Sequence, residues 1–128
     1  MRRIVYISTA VGLTDTQLDA IVSGATRKNL ATAVTGFLLY NGRNFLQLIE
    51  GENAQIGVLI GAIEADDRHD GIVRLIDEGI AKRSCADWAM RQIVMLEDVA
   101  KRRDGLSKIL PELDPATGKL VSNFALLN

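Results

Sequence analysis

Residues 34–51 read "VTGFLLYNGRNFLQLIEG", and this stretch decides the fold. "VTGFLLY" (34–40) and "NFLQLIE" (44–50) are apolar and β-prone, and Asn41-Gly42 between them is a strong hairpin signal, because both residue types tolerate positive φ. The second strand carries an anomaly. Gln47 sits amid Phe45, Leu46, Leu48 and Ile49, where a buried amide left without partners costs roughly 1–3 kcal/mol. Its partner has to be supplied from elsewhere in the fold or from another molecule.

Outward from the hairpin, "RRIVYIST" (2–9) reads as a first strand. Thr14 and Asp15 offer helix-capping oxygens, and Leu18, Ile21, Val22 and Ala25 recur at helical spacing to about Asn29. A second helix is predicted from about Ala54 to Asp66, with Ile56, Leu59, Ile60 and Ile63 inward. "GIVRLIDEG" (71–79) and "WAMRQIVML" (88–96) complete the strands. The order βαββαββ predicts an α+β, ferredoxin-like sandwich: a five-stranded mixed sheet, two helices on one side and a C-terminal helical tail. In that topology strands one and three are central neighbours. Alternation then sets Ile4, Tyr6 and Ser8 on one face and Phe45, Gln47 and Ile49 on one face of their strands, so Tyr6 and Gln47 meet beneath the helices if the faces coincide. Val5, Ile7, Leu46 and Leu48 form the opposite face, which also needs a cover. The tail from Glu97 supplies one: Leu106, Ile109, Leu110 and Leu113 space like a helix before Pro115, and a short helix is expected to end near Phe124. A partner subunit is the other candidate. The chain thus divides into residues 1–97 and an extension, 98–128, that covers the sheet or mediates oligomerisation.

Composition narrows the function. The chain has 128 residues, 48% hydrophobic and 24% charged, with a net charge of −1, which fits one globular domain. No basic stripe follows a phosphate backbone, which argues against nucleic acid. No stretch approaches the ~18 consecutive apolar residues of a membrane span. Cys85 is the only cysteine, so no intrachain disulfide can form, and a reducing cytoplasm is the expected setting. Catalytic signatures are missing: Gly36 stands alone rather than in a phosphate loop, and Cys85 and His69 are each the only residue of their kind, so no metal site is expected. Glu50 and Asp67 sit at element ends and read as solvated turn residues.

What remains is a set of hydrogen-bonding groups on apolar elements: Tyr6, Ser8, Asn29 and Gln47, with Asp66, Arg68 and His69 in "DDRHD" (66–70). Taken singly each has an ordinary explanation. Tyr6 is a core aromatic, Asn29 a helix C-cap, Arg68 and His69 a solvated helix end, and Trp88 and Met90 core. Together they suit a ring with an imide edge, such as flavin, because an amide presents a donor and an acceptor side by side. Ile21 and Ile63 would wall the slot for its ring system.

"IVYIS", "RKN", "TGFLLYNGRNFLQLIEG", "DDRH" and "DEGIAKRSCADWAM" occur in order over residues 3–96, and on these motifs the chain resembles the BLUF domain, a flavin-binding blue-light sensor. The resemblance implies that Tyr6 gives an electron and a proton to excited flavin, that Gln47 lies between phenol and ring, and that Asn29 fixes the ring's carbonyl and N–H edge. It implies that Arg68 and His69, braced by Asp66, contact the other carbonyl and the side chain, and that Trp88 and Met90 exchange places beside Gln47. Lys28 stands where many members carry Asn or His. The expected cofactor is FAD, with FMN and riboflavin as alternatives. No output domain follows residue 128, so a homo-oligomeric sensor, not itself an enzyme, that signals to a separate protein is expected. A flavin enzyme lacks a base, nucleophile or nicotinamide site here. The remaining alternative is a non-photoactive ferredoxin-like dimerisation module.

Overall fold

A computed structural model describes residues 1–10, 12–67, 70–85, 91–94 and 99–127. β1 (Arg2–Thr9), β2 (Thr35–Tyr40), β3 (Asn44–Gly51) and β4 (Asp70–Gly79) form an antiparallel sheet in the order β4-β1-β3-β2. The expected long last strand over 88–96 is described only as β5 (Arg91–Val94), which pairs parallel with β2 at the edge. β1 and β3 are the central neighbours, and their register places Tyr6 directly opposite Gln47.

Alternation separates the two faces as the residue pattern requires. Ile4, Tyr6 and Ile49 pack with Ile56 and Ile60 of α2 (Asn53–Glu64), while Leu38, Tyr40 and Phe45 pack with Leu18 and Ile21 of α1 (Asp15–Thr32). On the other face Val5, Phe37, Leu39, Leu46 and Leu48 form one core with Leu106, Ile109, Val121, Phe124 and Ala125. The C-terminal residues therefore cover the second apolar face. Among the described residues, no helix is long and apolar enough to cross a membrane.

Local chemistry explains the boundaries. Thr14 caps α1 through a reciprocal box: its hydroxyl accepts from the Gln17 amide N–H at 3.1 Å, and the Gln17 side chain accepts from the Thr14 N–H at 2.9 Å. The helix runs three residues past the expected Asn29 and ends at Ala33, whose φ of 55° is left-handed. The hairpin forms where Asn41-Gly42 places it, but only Gly42 (φ 90°) takes positive φ. Asn41 instead uses its side chain, Oδ1 accepting from the Arg43 and Asn44 N–H groups at 3.0 and 2.8 Å, so the turn is held by an Asx motif.

The tail differs from its pattern. The helix expected through Leu113 stops early, as α3 (Val99–Ser107), and a 3₁₀ turn follows over Leu110–Glu112. Pro111 lacks the N–H an α-helix needs and disfavours helical geometry at Leu110. The expected short helix is the longer one, α4 (Pro115–Leu127), because Val121, Phe124 and Ala125 anchor it to the sheet.

Candidate functional site

A cleft lies between α1 and α2 above the sheet. Ile21, Gly24, Ala25, Lys28 and Asn29 line it from α1, a spacing that brings five residues onto one helical stripe. Leu59, Ala62, Ile63 and Asp66 line it from α2 and its C-terminal end on the same periodicity, and Leu38 and Gln47 form the floor. The space within the cleft, its open mouth included, is about 620 Å³. Gly24, Ala25 and Ala62 keep the helices' facing surfaces low, which gives the cleft its width.

Gln47 and Tyr6 explain one another. The Tyr6 hydroxyl donates to Gln47 Oε1. Tyr6 is completely buried and lines no part of the cleft, whereas Gln47, 6% exposed, does. The amide therefore stands between the phenol and the cleft. Burial foremost, and the Asp66 carboxylate next, push the Tyr6 phenol well above its ordinary 10.0, so it remains a neutral donor at physiological pH.

Asn29 is also buried, 1% exposed, and lines the cleft. It is not the helix cap. Its backbone oxygen accepts from the N–H groups of Ala33 and Val34, the latter at 3.0 Å, so the chain turns after it. Ile21 and Ile63 line the cleft, as does Asp66, which is half-buried. Lys28 is exposed yet still borders the cleft, which places a cation at the mouth. Ser8 is buried opposite Phe45 on the same sheet face but lines no part of the cleft. Arg68, His69, Trp88 and Met90 lie outside the described residues.

Glu50 departs from its reading as a solvated turn residue: it is fully buried. Its carboxylate accepts from Arg3 Nε at 2.9 Å and from the backbone N–H groups of Ser84 and Cys85 at 3.0 and 2.9 Å, which offset the cost of burying the charge. Burial foremost, then that carboxylate, push the neighbouring Cys85 thiol up to about 12, so it is an inert core group rather than a nucleophile. Asp67 is exposed, as its position predicts.

The donor set fits a flavin. A cleft lined largely by aliphatic side chains suits an apolar ring system, and carboxamides at Asn29 and Gln47 match the mixed donors and acceptors of an imide edge. The pattern reading missed Gly24, Ala25, Leu38, Leu59 and Ala62 as lining residues. Counting by three and four along α1 from Ile21 reaches Gly24 and Ala25, and along α2 from Leu59, already placed inward, reaches Ala62 and Ile63, because those positions share a face.

Comparison with known proteins agrees with this arrangement. The family model described as sensors of blue light using FAD matches residues 1–91. The blue light- and temperature-regulated antirepressor BluF of Escherichia coli (strain K12) is 43% identical over 60 residues, covering 47% of this chain and 15% of that protein. Photoactivated adenylate cyclase subunit beta of Euglena longa is 31% identical over 94 residues, covering 71% of this chain and 11% of that protein. The chain thus spans a small fraction of these curated relatives. The dark-state structure of BlrB, a BLUF protein, superposes with a TM-score of 0.69 at 31% identity, over 98% of this chain and 90% of that one. Klebsiella pneumoniae BlrP1 with FMN and cyclic diGMP gives a TM-score of 0.82 at 31% identity, over 97% of this chain and 34% of that one. By its cleft, its paired Tyr6 and Gln47 and these matches, the chain belongs to the BLUF family of blue-light sensors that use flavin.

Proposed function

We propose that this protein is a blue-light photoreceptor that holds a flavin non-covalently between α1 and α2, with Tyr6 and Gln47 as its photoactive pair. The observation that carries this reading is the Tyr6 hydroxyl bonded to Gln47, an amide that also lines the cleft. Asn29 and Gln47 would hold the imide edge, Ile21 and Ile63 the ring faces, and Asp66 with Arg68 and His69 the remaining polar edge and side chain. FAD is the cofactor we assign, with FMN, which BlrP1 holds, as the alternative. Lys28 at the mouth adds a positive charge beside it.

When bound, the flavin supplies the blue absorption and, once excited, an acceptor for one electron. Tyr6 is positioned as the electron source, and its proton already lies on the line to Gln47 Oε1. A Gln47 amide that has rotated or tautomerised turns a different group toward the phenol. Tyr6 then accepts where it donated, and the bond presented to the cleft reverses as well. Each altered bond is worth about 1 kcal/mol, which shifts a two-state element roughly fivefold. The segment carrying Trp88 and Met90 is the proposed element, with Ser8 on the Tyr6 face of β1 as a supporting group.

Residues 1–97 are the proposed sensor unit and 98–128 its output extension. The signal passes to a separate effector, as the antirepressor and cyclase relatives suggest in kind. Self-association along the edge strand β4, where Val73 and Leu75 are exposed, and a cytoplasmic location belong to the same reading. The dimerisation-only alternative is not favoured, because it leaves the cleft and its amides without a use. The deciding experiment is a light-minus-dark absorption spectrum of the flavin-loaded protein. A red shift is expected in the parent. Tyr6→Phe should bind flavin and lack the shift; a shift that persists in Tyr6→Phe would overturn the mechanism.

A further inference from the structure

β1 and β3 carry a second polar cross-strand pair. Arg3 lies directly opposite Glu50, three positions from Tyr6 and Gln47, or about 10 Å along the strands. The odd spacing puts it on the opposite face, under the C-terminal residues. The proposed photochemistry does not use this pair, and buried ion pairs add little net stability over apolar packing. What the pair joins is informative. Glu50 Oε1 accepts from the Ser84 and Cys85 N–H groups at 3.0 and 2.9 Å, and these residues lead in sequence straight into 86–90. Arg3 Nη2 donates to Ser84 Oγ at 2.6 Å, and Nη1 to Glu78 Oε1 at 3.0 Å and Asp114 Oδ1 at 3.2 Å. Asp114 in turn caps α4, its carboxylate accepting from the Thr117 hydroxyl at 2.7 Å and the Thr117 N–H at 3.3 Å.

We propose that the Arg3–Glu50 pair is a positioning unit that ties the chain entering Trp88 and Met90 to the first turn of α4, coupling the flavin site on one sheet face to the C-terminal helices on the other. The inference rests on the photoreceptor reading above. A buried carboxylate that loses its N–H donors is left poorly satisfied, so Glu50, Arg3 and the Ser84–Cys85 backbone shift together rather than separate. Coupling of this kind is reciprocal: loosening Asp114 changes how readily the site returns to its dark state.

The test compares dark recovery of the light-induced red shift in the full-length, flavin-loaded parent, Asp114→Asn, Glu50→Gln and, as a control, Asp77→Asn, which cuts only the surface pairs of Asp77 with Arg2 and Arg74. Asp114 is partly exposed and remote from the cleft, so its variant is expected to fold and to keep the parent's dark spectrum. The expected result is a recovery rate changed about threefold or more in Asp114→Asn and Glu50→Gln, with the control unchanged. The light-dependent change in α4 hydrogen exchange expected in the parent should be lost in Asp114→Asn. A purely structural role would lower the melting temperature of Asp114→Asn and leave its recovery at the parent rate, and that result overturns the inference. If Glu50→Gln does not fold, Asp114→Asn decides alone. A parent that binds flavin without any red shift would overturn the photoreceptor reading together with this inference, whereas a normal parent photocycle with unchanged Asp114→Asn kinetics would sink the coupling only.

Discussion

Gly24→Leu should make the protein sturdier while abolishing flavin binding, an unusual pairing of effects. Gly24 is helical, and a Cβ built on it meets nothing within 4 Å, so a side chain there enters open space at no steric cost. That space is the cleft, which Gly24 lines between Ile21 and Lys28. Replacing an interior helical glycine by a good helix former is worth about 0.8–1 kcal/mol. The flavin-free variant should therefore melt a few degrees above the flavin-free parent, about 3–4 °C for a domain of this size. Flavin and leucine would compete for the same part of the cleft. The expected loss of affinity is at least about a hundredfold, or about 3 kcal/mol. Flavin fluorescence quenching measures the affinity and circular dichroism the melting. Gly61→Leu is the control: its Cβ also meets nothing within 4 Å and Gly61 lines no part of the cleft, so it should gain the same helical stability and keep flavin. Flavin bound by Gly24→Leu at parent affinity would show that the ring sits elsewhere.

Gly36→Ala should be damaging although the change is small. Its Cβ would lie 1.8 Å from the Leu48 carbonyl oxygen, so the β2–β3 pairing must open, at about 2–4 kcal/mol; an unchanged urea midpoint would contradict this. Alkaline pH should weaken the fold through Tyr6. Because its folded pKa is raised above 10.0, the folded chain keeps a proton that the unfolded chain gives up, and stability falls as pH rises past 10. Tyr6→Phe should flatten that slope in urea unfolding between pH 9 and 11, and an equal slope in both proteins would refute the assignment.

The parts of this molecule governed by local periodicity were legible in its residues. The alternation in β1 and β3, with Asn41-Gly42 to place the hairpin, led from strand order to the Tyr6 and Gln47 pairing, because residues two apart on a strand share a face. Spacing of three and four put Ile21 and Ile63 on the inward faces of their helices, and both line the cleft. Trp88 and Met90, with Arg68 and His69, are assigned by motif alone.

Glu50 was misread because its environment is made by Arg3, 47 positions away, and by the Ser84 and Cys85 backbone, none of which local pattern reports. Gly24 and Ala62 escaped notice because a side chain so small leaves little hydrophobic signal. The tail inverted its expected helix lengths because α4 gains its stability from packing Val121, Phe124 and Ala125 on the sheet. By itself the sequence determined which residues face which side of each element, since that depends on spacing of two or 3.6 along the chain. Tertiary structure alone decided which faces meet, how wide the gap between α1 and α2 is, and which buried charges find partners, since those depend on groups brought together from distant positions.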